Sequence, residues 1–198
     1  VLFEFNLGVL PVDIVTRNRK TVKVGMEQKP PEFGDTYPGE QVAPLLGLEA
    51  GQLLEGAPVQ TVSTGVPFLM VPVKSVEAVV KASMRHAELA EFLGNARVDA
   101  AFVCTPHGYT EEGDTFARLL SPASTSEDSF TGSASGCMGS YFYHHGIVRE
   151  PRMRLEQGHS IGRPGTGELV LDGPPESIER VRLYGGAVNT LAGTLRLA

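Results

Sequence analysis

The residues best suited to chemistry lie in one stretch, Glu127-Asp128-Ser129-Phe130-Thr131-Gly132-Ser133-Ala134, which runs on through Ser135-Gly136-Cys137-Met138-Gly139-Ser140 to His144-His145-Gly146. It reads as a polar loop, a glycine turn, a helix and a glycine stop. Thr131 or Gly132 suits the N-cap, and Gly146 the left-handed position past the last turn. The first turn of a helix carries N–H groups with no partner inside the helix, and the helix dipole adds positive character there. Thr131-Gly132-Ser133-Ala134 therefore has the make-up of an anion site. The same residues also fit an ordinary buried helix with a Ser/Thr cap. Asp128, just ahead of the helix start, has the charge that the dipole favours.

Other reactive side chains carry less. Cys104 and Cys137 stand in apolar surroundings without CxxC spacing, which points to reduced thiols and a cytoplasmic protein. His86 and His107 have no Cys, Asp or Glu at metal-ligand spacing. His144-His145 ends the helix, where imidazolium favours the dipole, far from the proposed site. His159 lies near Glu156 in sequence with no nameable partner. No metal and no organic cofactor is expected.

The chain has 198 residues, a net charge of −6, 41% hydrophobic and 20% charged residues. That composition fits a soluble globular protein of one large domain, or one and a half smaller ones. No apolar run approaches the roughly 20 residues of a membrane span, and no secretory signal is evident. The acidic balance and scattered Lys and Arg argue against nucleic acid. The chain opens at Val1, inside what reads as a strand, so a piece of a longer protein is expected.

Stepping outward to the elements, 1–15 reads as a β-hairpin turning near Asn6 to Gly8, and 21–26 as a further strand. The span 28–39, with Pro30, Pro31 and Pro38, reads as a non-repetitive connection and the domain boundary. A short helix follows over 38–47, then strands at 57–63 and 67–73. Helical spacing marks 75–81 and 85–93, and strands are expected at 98–104 and 115–119. After the central helix, strands are expected at 152–156, 168–171, 177–184 and 188–197. The pattern is α+β. Within the central helix, Ser135, Gly136, Gly139 and Ser140 are poor helix formers, and glycine costs about 1 kcal/mol against alanine. A helix wrapped by a curled sheet explains that choice, because small residues let neighbouring backbones approach.

Four segments together carry a resemblance. Ser63-Thr64-Gly65-Val66-Pro67 resembles a Thr-Gly-x-Pro strand motif, and Arg118-Leu119-Leu120-Ser121-Pro122 an Arg-x-Phe-x-Pro segment. Glu127-Asp128-x-x-Thr131-Gly132-Ser133-Ala134 resembles a Glu-Asp-Pro-x-Thr-Gly-Ser-Ala signature, and Glu156-Gln157-Gly158-x-x-x-Gly162-Arg163-Pro164 a Gln-Gly-x-x-x-Gly-Arg-Pro segment. Their order and spacing are those of the PhzF-like isomerases named for phenazine biosynthesis, which share the diaminopimelate epimerase fold. The likeness covers essentially the whole chain. Ser129-Phe130 departs from it where the family has proline after the aspartate.

The resemblance implies two pseudo-symmetric domains, each a curled sheet around a central helix, with the active site between the two helix N-termini. On that frame, 1–27 would be the last strands of a mostly missing first domain. Residues 28–39 would be the linker, and 40–198 the second domain with its central helix at 133–145. The family's catalytic Glu and its Gly-His-Ala-Thr turn are not in this sequence. Placed on the racemases of this fold, which use two cysteines, Thr131 takes the cysteine position and Cys137 is a packing residue. The implied catalytic residues are Asp128 and Ser133, with Thr131, Gly132 and Ala134 binding substrate. A zwitterion fits this geometry, carboxylate on the amides and amine toward Asp128. The expected activity is proton transfer on a small, cyclic, carboxylate-bearing substrate by a homodimeric enzyme. A non-catalytic relative that kept the cleft as a binding module is the other reading.

Overall fold

The computed structural model describes all residues except 6, 7, 19, 187–191, 195, 197 and 198, and leaves the side chains of residues 5 and 20 undescribed. The strand expected over 188–197 lies for the most part outside the described residues. Among the described residues the strands are β1 Leu2–Phe5, β2 Gly8–Arg17, β3 Lys20–Gln28, β4 Glu32–Tyr37, β5 Val59–Ser63, β6 Pro67–Pro72, β7 Ala101–Thr105, β8 Thr115–Leu120, β9 Arg152–Gln157, β10 Gly165–Asp172 and β11 Arg180–Gly185. They form one sheet in the order β1-β2-β3-β11-β10-β9-β8-β7-β6-β5-β4. Among the described residues the α-helices are α1 Gly39–Val42, α2 Val76–Lys81, α3 His86–Ala96 and α4 Gly132–His144.

Chain connectivity forces the sheet to roll. β3 stands third and β4 last in the order, yet only residues 29–31 join them. Eight strand spacings would separate the two by roughly 40 Å in a flat sheet, while that link spans at most about 15 Å. The sheet therefore curls until the end of β3 meets the β5–β6 turn, where the Lys29 amide donates to the Thr64 carbonyl at 3.2 Å.

Strand alternation sorts the side chains onto the two faces of the roll. Along β7, Phe102 and Cys104 enter the core around α4, while Ala101 and Val103 pack outward. Phe68 and Met70 of β6 likewise face in, and Leu69 and Val71 face out. The outer layer is covered by α1 to α3 through Val42, Val79, Leu89 and Leu93. Both faces of β6 and β7 are thus dry, which is why these strands read as unbroken apolar runs. They pair in parallel, and α2 and α3 lie on the crossover between them.

Helix α4 occupies the inside of the roll, and every residue from Ala134 to Tyr143 is buried. Its small residues are explained differently from the expectation. A Cβ on Gly136 would strike the Gln28 carboxamide, and one on Gly139 the Leu169 side chain. The glycines admit side chains of β3 and β10 rather than close backbones.

The connection expected over 28–39 contains strand β4. Pro30, Pro31 and Pro38 flank this strand instead of interrupting it. β4 is an edge strand with an irregular register between Phe33 and Thr36, a place where such breaks are tolerated. Phe33 holds it to the core, stacking on His144 at 4.0 Å between ring centroids. No helix among the described residues is long and apolar enough to cross a membrane.

Candidate functional site

Thr131 sits at the N-cap of α4 with extended backbone, but its side chain does not cap the helix. The hydroxyl donates instead to Asp128 Oδ2 at 2.9 Å. The Thr131 amide is taken by Gln157 Oε1 at 2.9 Å. Among the described residues, the Gly132 and Ser133 amides and the Ser133 hydroxyl have no hydrogen-bond partner. The positive end of a thirteen-residue helix is therefore left with free donors.

Gly132 and Ser133 border a cavity of 390 Å³ that is lined also by Leu10, Met26, Gln28, Thr64, Val66 and Leu183. That volume is within the roughly 300–1,000 Å³ of small-molecule sites. Its walls are apolar except for the helix start and a second set of hydrogen bonds. Gln28 Nε2 donates to the Gly132 carbonyl at 2.9 Å, and Thr64 Oγ1 to Gln28 Oε1 at 2.6 Å. Glu27 also borders the cavity. Strand alternation in β3, however, directs its side chain to the face opposite Met26 and Gln28. Among the described residues the cavity thus joins a helix start without hydrogen-bond partners to apolar walls, with Glu27 as the carboxylate at its border.

The loop leading to α4 is fixed from two sides. Arg118 forms a two-point ion pair with Glu127, its Nε 3.0 Å from Oε2. The same guanidinium donates to the carbonyls of Val79, Val80 and Ala82 at 2.8–3.0 Å, gathering the last carbonyls of α2. From the other side, Gln157 Nε2 donates to the Asp128 carbonyl at 2.8 Å and to Thr131 Oγ1 at 3.1 Å. All four segments that carried the resemblance meet here. Thr64, Arg118 with Glu127, and Gln157 are far apart in sequence and converge on one helix end.

Of the residues expected at the site, Gly132 and Ser133 line the cavity, and Thr131 anchors the turn beneath it. Two do not enter it. Ala134 is fully buried, and its methyl packs in the core around α4. Asp128 is exposed and borders a neighbouring depression with Arg163 and His86, because its carboxylate is turned back to Thr131. Gln28 and Gln157 were not singled out as site residues. Gln157 lay inside a recognised segment, but nothing local in the sequence tells what its carboxamide would hold.

Cys137 is buried next to Thr64 and Val66, and burial pushes its thiol up to about 11. It packs and does not act as a nucleophile at neutral pH. Among the described residues no group of three or more His, Cys, Asp or Glu could hold a metal ion. His144 and His145 are structural: ring nitrogens lie 2.9 Å from the Pro175 carbonyl and from Gln60 Oε1. Burial, and then His144, holds His145 below the usual histidine range. It thus favours the neutral form instead of the imidazolium expected at a helix C-terminus.

An uncharacterised isomerase of Clostridium acetobutylicum is 30% identical over 196 residues, covering 95% of this chain. This chain spans 65% of the length of that relative. The crystal structure of a PhzF-family phenazine biosynthesis protein from Bacillus anthracis superposes with a TM-score of 0.80 at 25% identity, over 93% of this chain and 64% of that one. A predicted epimerase from Pseudomonas aeruginosa superposes with a TM-score of 0.70 at 27% identity, over 90% of this chain and 60% of that one. The fold is α+β and diaminopimelate epimerase-like. With the phenazine biosynthesis-like (PhzC-PhzF) model matching residues 1–193, the chain belongs to that family.

Proposed function

We propose that this chain forms the substrate-orienting part of an isomerase that moves a proton on a small, cyclic, carboxylate-bearing substrate. The observation that carries the reading is an N-cap threonine that does not cap, so that the Ser133 amide stays unpartnered beside that of Gly132, both residues lining the cavity. The substrate carboxylate sits on these amides, with the Ser133 hydroxyl as a further donor. An amine on the same substrate extends over the turn toward Asp128. The apolar walls from Leu10, Met26, Val66 and Leu183 take the ring.

The base comes from outside residues 1–198. The isomerase relative is longer than the part this chain matches, and Glu27, the carboxylate that borders the cavity among the described residues, is directed to the other face of β3 by strand alternation. In this reading a Glu from that further part removes and returns the proton. Closure over the apolar face then excludes water.

The test is calorimetric titration of 2-aminocyclohexanecarboxylate, a zwitterion over the neutral range, into wild type, Gly132→Val and Asp128→Asn. The nearest atom to a Cβ at Gly132 is Leu183 Cδ2 at 3.0 Å, so a valine there crowds the cavity wall and shields the amides. The valine variant should bind at least about tenfold more weakly, equivalent to about 1.4 kcal/mol. Asp128→Asn should weaken binding of this zwitterion but not of cyclohexanecarboxylate, which lacks the amine. Undiminished binding in the valine variant removes the site.

A further inference from the structure

We infer that Gln157 is the positioning residue of this site: its carboxamide holds the Thr131 hydroxyl off the helix and so keeps the Ser133 amide open beside that of Gly132. The inference rests on the helix start being the substrate site, and it adds the device that keeps that start uncapped.

Gln157 closes strand β9, in which Met153 and Leu155 face the core around α4. Alternation puts Gln157 in the same inward row, where it is only 1% exposed. A carboxamide so buried is tolerated only if its polar atoms are satisfied. All its bonds go to one turn. Oε1 accepts the Thr131 amide, and Nε2 donates to the Asp128 carbonyl and to Thr131 Oγ1.

The last of these bonds decides what Thr131 does. A threonine at an N-cap ordinarily accepts from the second or third amide of the helix. Here Nε2 approaches the hydroxyl oxygen as a donor, which leaves the hydroxyl proton for Asp128 Oδ2. One side chain therefore fixes three things: the Thr131 rotamer, the direction of the Asp128 carboxylate, and the freedom of the first-turn amides. The residue after it reinforces the arrangement. Gly158 has φ +81, and the space of its missing Cβ is taken by the Ser129 and Arg163 carbonyls. The 128–131 turn lies directly against the end of β9.

The experiment uses Gln157→Glu, with amide resonances and 2-aminocyclohexanecarboxylate binding followed from about pH 5 to about pH 8. A neutral carboxyl at this position donates one hydrogen bond and accepts another, much as the amide does. Once ionised it can only accept. It then draws the Thr131 proton away from Asp128 and repels the Asp128 carbonyl. The Thr131, Gly132 and Ser133 amide resonances should titrate in the variant with a step absent from wild type. Probe affinity should lie within about threefold of wild type at the acid end and fall about tenfold below it at the alkaline end.

First-turn resonances that match wild type at both ends of the range overturn the inference. So does wild-type affinity at about pH 8. If wild type itself does not bind the probe, the proposed substrate site fails, and the resonances alone decide the role of Gln157. Should the buried charge unfold the glutamate variant, Gln157→Met is the second arm. There the Ser133 and Ala134 amides should show the shift of a newly capped helix, and their constancy would equally overturn the inference.

Discussion

At the scale of single residues, the least reactive groups in the core are also the most informative about pH. Burial raises the Cys137 thiol from 9.0 to about 11, against smaller opposing effects from hydrogen bonds. A raised thiol is neutral in the folded state where the unfolded chain has already ionised. Its contribution to stability is therefore complete below pH 9 and is lost as pH rises through the folded value. Between those limits one such group removes about 1.4 kcal/mol per pH unit. The unfolding free energy of Cys137→Ala should accordingly fall less steeply than wild type from about pH 9 upward, by one proton's slope. Parallel slopes would mean that the thiol is hydrated in the folded protein. The residue level also marks where the sequence was silent. Asp128 was legible as an acidic residue before a helix, and Thr131 as its cap. The direction of either side chain depends on Gln157, which lies 26 residues beyond Thr131 and meets it only when β9 closes against the loop.

The elements were more legible than their contacts. Helix α4 was recognisable from its caps and small residues, and β6 and β7 from apolar runs that only a strand dry on both faces sustains. β4 was not, because three prolines mark a connection wherever they flank a strand as short as Glu32–Tyr37. What fills the space beside each helical glycine was also invisible, since Leu169 and Gln28 arrive from other strands. That packing makes a paired prediction. Gly139→Ala gains about 1 kcal/mol of helix propensity but drives a methyl into the Leu169 side chain, an overpacking worth about 1–3 kcal/mol. Gly94 in α3 has nothing within 4 Å of its missing Cβ and is exposed. Gly94→Ala should therefore stabilise by up to about 1 kcal/mol, while Gly139→Ala destabilises. Urea midpoints decide it, and two shifts of the same sign would contradict the packing described for α4.

At the scale of the molecule, the inner face of the sheet continues past the helix it wraps. Val12 is paired with Met26 and Ile14 with Val24 across β2 and β3, so these side chains share one face. The shared face ends there, because the register of the pair shifts between Val15 and Thr16 and leaves Val22 without a partner in β2. On the far side of β3, Leu183 lies opposite Met26. The cavity at the start of α4 thus opens onto an apolar strip on which Ile14 and Met26 remain 49% and 42% exposed. A strip continuous with the cavity matters for the chemistry, since whatever covers it also shields the substrate from water. Left in water, contiguous apolar surface on a sheet drives association. The 198-residue chain should therefore associate as its concentration rises, with a sedimentation coefficient that climbs across the dilution series. Ile14→Lys places a charge on the strip without touching α4 or the residues that line the cavity. That variant should sediment as a monomer at all concentrations while keeping the wild-type unfolding midpoint. A wild-type chain that stays monomeric throughout would show that this face is tolerated in water and that the cavity needs no cover.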